Sequence, residues 1–454
     1  MNANPYLVGP YAPVDDVRTD TDLRVEGTLP ADLNVLFVQN SPNPKLPPRG
    51  AYHWFDGDGM VHGVAIEGGR ATYRNRWVQT DGMLEEVAAG KPLHDGIMMP
   101  FKPGPHPDKD TANTDLVEHN GKLLALWWLG GTPYELSVPG LETVGKLELP
   151  IGVAAHAKTD PRTGELVFFD YNPYQAPYMR YGVLDATGGL AHVLDVDLPA
   201  PSLLHDLHFT ENKTILMDFP MWWDVDKLAL GKRRVRFDAD KPARFGIVDR
   251  RGTDIQWFEV PSCYCYHAVN AWEEGDEVVL HACRIQDPVP RLRADEDALV
   301  PRLAFLRLEP YLHEWRFNLK TGAVRDRRLS DTPTEFPRAN DLRLGVKTRY
   351  SWHPRVAKEP TLMFDACVKM GGPAEVAHVY GEGFVGGETV FAPRPGATDE
   401  DDGWVLTFVT DRANDQSELR VLDGKTLDLV ARVFIPRRVP IGFHAHQVSL
   451  DGRP

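Results

Sequence analysis

Short runs of β-prone residues recur along the whole chain, each cut off by a tight-turn dipeptide, and this alternation restricts the fold more than any other feature. Residues 71–78, 122–127, 165–169, 214–217, 277–280 and 404–409 are such runs. Between them fall Asn120-Gly121, Thr163-Gly164, Gly188-Gly189, Thr321-Gly322, Asp402-Gly403 and Asp423-Gly424. These pairs tolerate the positive φ of two-residue hairpin loops. Long helical periodicities are scarce, and only 295–308 reads as a helix. The 39 glycines and 38 prolines are dispersed, so no linker divides the chain. Many short strands over 454 residues without a boundary favour one closed, repeat-built β domain over a string of sandwiches. The expectation is an all-β chain folded as one β-propeller domain over 1–454. In such a ring the last strand pairs with the first blade, and strand ends converge on a central axis.

Composition narrows the functional classes. A formal charge of −15 argues against a broad nucleic-acid surface, which needs clustered Lys and Arg. The opening residues are polar and proline-rich rather than a basic stretch followed by an apolar one, and no apolar run is long enough to span a bilayer. The expected compartment is cytoplasmic. Cys263, Cys265, Cys283 and Cys367 form no C-x-x-C pair and read as reduced core residues. The acidic stretch 397–403 reads as a solvated loop.

Four of the sixteen histidines stand apart by context. His156, His205, His267 and His444 each lie at the edge of a different strand-like run. Separate blades could aim all four at one axis, and four neutral imidazoles suit iron(II), zinc or copper. The same residues could equally be hydrogen-bonded core histidines, and their spacing does not separate the two readings. No Ser/His/Asp triad or paired carboxylates are evident, and "DGDGMVHG" lacks the Lys-Ser/Thr helix of a phosphate cradle.

Ten collinear segments carry a resemblance. Among them are "FVQNSPNP", "YHWFDGDGMVHGV", "AAHAKTDPRTGEL", "LLHDLHFTEN", "YHAVNAWEEGDEVVL", "EFPRAN", "ETVFAPRPGATDEDDGWVL" and "GFHAH". In this order they resemble the carotenoid cleavage oxygenase family, which includes carotenoid, apocarotenoid and lignostilbene dioxygenases, isoeugenol monooxygenase and the isomerase of the retinal pigment epithelium. The resemblance implies a seven-bladed propeller, with a cap of loops and short helices over one iron(II) per chain. It implies His156, His205, His267 and His444 as the ligands, with His208 and His446 outside the set. The family often has His-His-x-Asn at the third ligand; here Ala268 takes the second position, leaving His267. Glu335 and Glu388 match two of three glutamates that orient ligand imidazoles. The third is missing: Trp127-Trp128 stands where relatives read Trp-Glu or Lys-Glu.

The implied reaction is cleavage of a C=C bond by O2 to two carbonyl products. Stilbene-cleaving relatives use the lysine at the position of Trp127 to bind a phenol, which tryptophan cannot do as a cation. Trp127 and Trp128 could instead line a channel for an apolar polyene. The expected substrate is therefore an apocarotenoid or carotenoid, with stilbenes or isoeugenol-like phenylpropenoids as the alternative. A catalytically silent propeller that binds an apolar ligand is the competing class. Peripheral membrane contact is expected through Phe219, Pro220, Met221, Trp222 and Trp223, which precede a basic stretch.

Overall fold

Burial in this chain follows blade position. Strand Val35–Pro42 is buried at every residue, whereas Arg70–Trp77, further out in the same sheet, alternates exposed and buried side chains. A strand sandwiched between two neighbouring sheets loses water on both faces; one at the rim keeps a wet face. The structure, a computed structural model, describes residues 4–102, 108–288 and 308–451.

Among the described residues the strands group into seven blades around an axis. In the first, Val35–Pro42 pairs on one side with Gly59–Glu67 and on the other with Ala445–Ser449. The C-terminal strand thus closes the ring by hydrogen bonds to the N-terminal blade. The second to fifth blades are simple four-stranded sheets whose inner strands are Asp115–His119, Lys158–Thr159, Leu207–Phe209 and Tyr264–Glu274. The sixth and seventh, with inner strands Ser351–Val356 and Val390–Pro393, are linked by Phe384–Gly386, which pairs with a strand of each. Around the hub Asp115–His119 packs against Lys158–Thr159, Leu207–Phe209 against Tyr264–Glu274, and Ala445–Ser449 against both Val390–Pro393 and Asp115–His119.

The expected strands are present, with ends displaced by one to a few residues. The helix expected over 295–308 lies, except for Leu308, outside the described residues. A helix the sequence reading missed, Asp81–Ala89, has both its stop signals in place. Thr80 caps its start by accepting the Met83 N–H, and Gly90 ends it at φ +66°. The four cysteines are buried and unpaired, as expected. The acidic stretch 397–403 is more than a solvated loop. Asp399, Asp401 and Asp402 pair with Lys425, Lys369 and Arg394, and Glu400 accepts the backbone N–H groups of Arg349 and Tyr350.

Candidate metal centre

The hub distributes chemistry by blade. Four inner strands begin at or beside an imidazole: His156 before Lys158–Thr159, His205 before Leu207–Phe209, His267 within Tyr264–Glu274, and His444 before Ala445–Ser449. The other three bring a carboxylate. Asp115 opens Asp115–His119, Glu388 precedes Val390–Pro393, and Glu335 donates its backbone N–H to Pro354 of the sixth blade at 3.1 Å. Strand ends, unlike strand middles, can turn a side chain along the axis. His156 does so with a left-handed backbone, φ +69°, and His267 sits at a register shift between Cys265 and Ala268.

The four imidazoles converge. One potential ligand atom from each lies within 4.8 Å of all the others. The His156 ring centroid is 4.6, 4.8 and 4.5 Å from those of His205, His267 and His444. Burial, reinforced by the neighbouring imidazoles, holds His156 and His267 well below the usual histidine range and His205 at about 3. Uncharged rings with free lone pairs are what a transition ion requires.

Carboxylates fix the tautomers of two rings. Glu335 Oε2 lies 2.6 Å from His267 Nδ1, and Glu388 Oε1 lies 3.2 Å from His444 Nδ1. Each Nδ1–H donates outward, leaving the Nε2 lone pair for the centre. His267 Nε2 faces His205 Nε2 at 3.2 Å, and His156 Nε2 is buried with no hydrogen-bond partner. A buried, unpartnered acceptor beside two facing lone pairs is costly unless a cation is shared among them. The donor set therefore fits a metal ion.

The sequence reading left open which imidazole loses its acid. Among the described residues no carboxylate reaches the His205 ring, whose hydrogen-bonding contact is His267 Nε2. Trp128 lines the cavity beside His205, and its ring stacks on Trp223 at 6.5 Å and lies 5.5 Å from Phe55. Trp127 lies one step out, bordering a neighbouring cleft that shares Phe55 with the metal cavity.

The two sides of the four-histidine cluster differ in character. One side is an apolar cavity lined by Trp54, Phe55, Thr114, Trp128, Tyr266, Leu308, Phe336, Leu362 and Phe443 around His205, His267 and His444. The other side opens into a cavity of about 530 Å³ that carries the charged side chains of Asp115, Lys158, Asp206 and Arg338, together with His208 and His446. Those two histidines stand outside the convergent four. Sequence reading missed Asp115, Lys158, Asp206 and Arg338. The available signal was position alone: Asp206 directly follows His205, and Lys158 lies two residues after His156.

Of the segment expected at a membrane, Phe219, Pro220, Met221 and Trp223 are buried and Trp222 is half-buried. The exposed apolar side chains nearby are Val225 and Leu230, at 52% and 68% exposure.

Comparison with known proteins agrees with this architecture. The family model described as retinal pigment epithelial membrane protein matches residues 11–449. A carotenoid 9,10(9',10')-cleavage dioxygenase of Crocus sativus is 37% identical over 98% of this chain and 89% of its own length. The crystal structure of Pseudomonas brassicacearum lignostilbene dioxygenase superposes with a TM-score of 0.87 at 28% identity, covering 98% of this chain and 99% of that one. A variant of the Synechocystis apocarotenoid oxygenase gives 0.84 at 25% identity, covering 97% and 98%. The match over nearly all of the chain places it in a known group: it belongs to the carotenoid cleavage oxygenase family.

Proposed function

We propose that this chain is an iron(II)-dependent dioxygenase that cleaves a C=C bond of a carotenoid or apocarotenoid with O2, giving two carbonyl products. The observation that carries the reading is the convergence of His156, His205, His267 and His444 at the floor of an aromatic cavity. These four residues would hold one iron per chain. Iron(II) bound there would supply the redox chemistry that joins O2 to an electron-rich alkene.

The chain's own residues do the rest. Glu335 and Glu388 keep two rings in the tautomer that offers Nε2 inward. Trp54, Phe55, Trp128, Phe336 and Phe443 exclude water and offer flat faces to a conjugated chain. Among the described residues no carboxylate or lysine lines this cavity, which suits a substrate without charge. The crocus relative is named for cleaving a carotenoid, which supports the same choice.

The likeness to a lignostilbene dioxygenase favours one second reading, the same cleavage of a stilbene or phenylpropenoid. Trp127 weighs against it, because tryptophan offers a phenolate no cation. Membrane access is proposed through Val225 and Leu230 beside the exposed Lys232, Arg234 and Arg236, a pairing suited to an anionic interface. Among the described residues no helix is long and apolar enough to cross a membrane.

The test is oxygen uptake after anaerobic loading with ferrous iron, using a C40 carotenoid, a shorter apocarotenal and a hydroxystilbene. Cleavage of a polyene supports the proposal. Cleavage of the hydroxystilbene alone moves the substrate class. Absence of bound iron and of turnover leaves a silent binder.

A further inference from the structure

His205 has no carboxylate on its ring, unlike His267 and His444, yet its ring packs as closely against its neighbours as theirs do. The charge-bearing side of the hub shows what stands in. Lys158 Nζ donates to the backbone oxygen of His156 at 3.1 Å and is paired with Asp206 Oδ1. Asp206 directly follows His205, and its Oδ1 also accepts the Leu207 N–H at 2.7 Å. Its Oδ2 accepts the N–H of Ala268, the residue after His267, at 2.8 Å. One ion pair, its Lys158 and Asp206 side chains only 16% and 1% exposed, thus touches the backbone beside three of the four imidazoles, which come from three blades.

We propose that the Lys158–Asp206 pair is the positioning element of the metal site, replacing through the backbone the ring-directed carboxylate that His205 lacks. The inference rests on reading the four histidines as a metal site. Its physical content is that a ring can be aimed in two ways. A partner on Nδ1 aims the ring directly; fixing the backbone on both sides of the residue aims the Cα–Cβ bond. At His156 the second way is visible. Its left-handed backbone is held at the N–H by Asp115 Oδ2, 2.9 Å away, and at the carbonyl by Lys158. A non-glycine residue keeps that conformation only where its surroundings over-determine it. Neither Lys158 nor Asp206 lines the apolar cavity, so both act through the ligands and not on substrate.

The test compares wild type, Lys158→Met, Asp206→Asn and, as a control, Arg250→Met, which breaks a buried ion pair elsewhere. Each protein is loaded anaerobically with Co(II). Visible d–d absorption, Co(II) affinity against a competing chelator and urea unfolding are then measured. The expected result is a changed d–d spectrum and roughly 10–100-fold weaker Co(II) binding in Lys158→Met and Asp206→Asn. Arg250→Met should lose stability with spectrum and affinity intact. Wild-type spectrum and affinity in a folded Lys158→Met overturn the proposal. Should that variant not fold, Asp206→Asn decides alone, since its amide oxygen still accepts the Ala268 N–H. A wild-type protein that binds neither Co(II) nor Fe(II) overturns instead the metal reading beneath it.

Discussion

Glu388 grips His444 at two points: one carboxylate oxygen lies 3.2 Å from ring Nδ1, and the other accepts the N–H of the next residue, Ala445. The ring is thereby oriented and the strand behind it anchored by a single side chain that is 2% exposed. Glu388→Gln keeps the shape and removes the charge. Metal affinity or turnover should fall about 10–100-fold. Iron content after dialysis against a chelator checks this, and full retention of iron and turnover would contradict it.

Trp128 occupies the place of a carboxylate but does the work of a core aromatic. Removing a buried tryptophan leaves a cavity, so Trp128→Ala should cost about 3–5 kcal/mol in urea unfolding. The space opens beside His205, and the variant should process bulkier substrates relative to wild type. A stability change under about 1 kcal/mol would mean the neighbouring aromatics collapse into the gap.

Arg250 ties two blades together. Its guanidinium reaches Asp160 and Glu165 at 3.1 Å, and Asp160 is fully buried. Asp160 keeps Arg162 as a partner, but the buried Thr210 carbonyl loses its Arg250 donor, so Arg250→Met should destabilise by about 1–3 kcal/mol. Equilibrium unfolding measures the loss.

Acid should weaken the fold before carboxylate titration begins in earnest. Burial holds His62, His208 and His353 at about 3 and His53 at about 4. Their folded values lie below the unfolded value near 6.5, so between these limits the unfolded chain binds more protons. The stability they confer is complete above about pH 6.5 and lost as pH falls. Asp56 and Asp110, raised by burial to about 6 and about 7, work in the opposite direction. These four histidines outnumber the two acids, so stability should fall as pH drops from 6 to 5. Urea midpoints at pH 7, 6 and 5 test the sign.

The blades were legible because turn dipeptides such as Asn120-Gly121 punctuate strands whose burial is set by their neighbours. Helix Asp81–Ala89 was not, although Thr80 and Gly90 mark its ends, because nine residues give too short a periodicity. The four histidines stood out by their place at strand edges, but only resemblance could read them as one ligand set, since imidazoles on four blades leave no local spacing. Trp128 marked a missing acid, but not that His205 would have no carboxylate near its ring; that depends on which blades face each other across the hub. Asp115, Lys158 and Asp206 escaped for the same reason. Asp115 and Asp206 accept backbone N–H groups of distant residues, and Lys158 pairs with Asp206 from another blade, contacts that no local motif records.

His444 sits immediately before the strand that stitches the ring shut. A chain emerging from the ribosome would carry its first three imidazoles long before the fourth. On the proposed metal reading, capture of the ion by the full set would coincide with locking of the circle, and a chain clipped before His444 should forfeit both together.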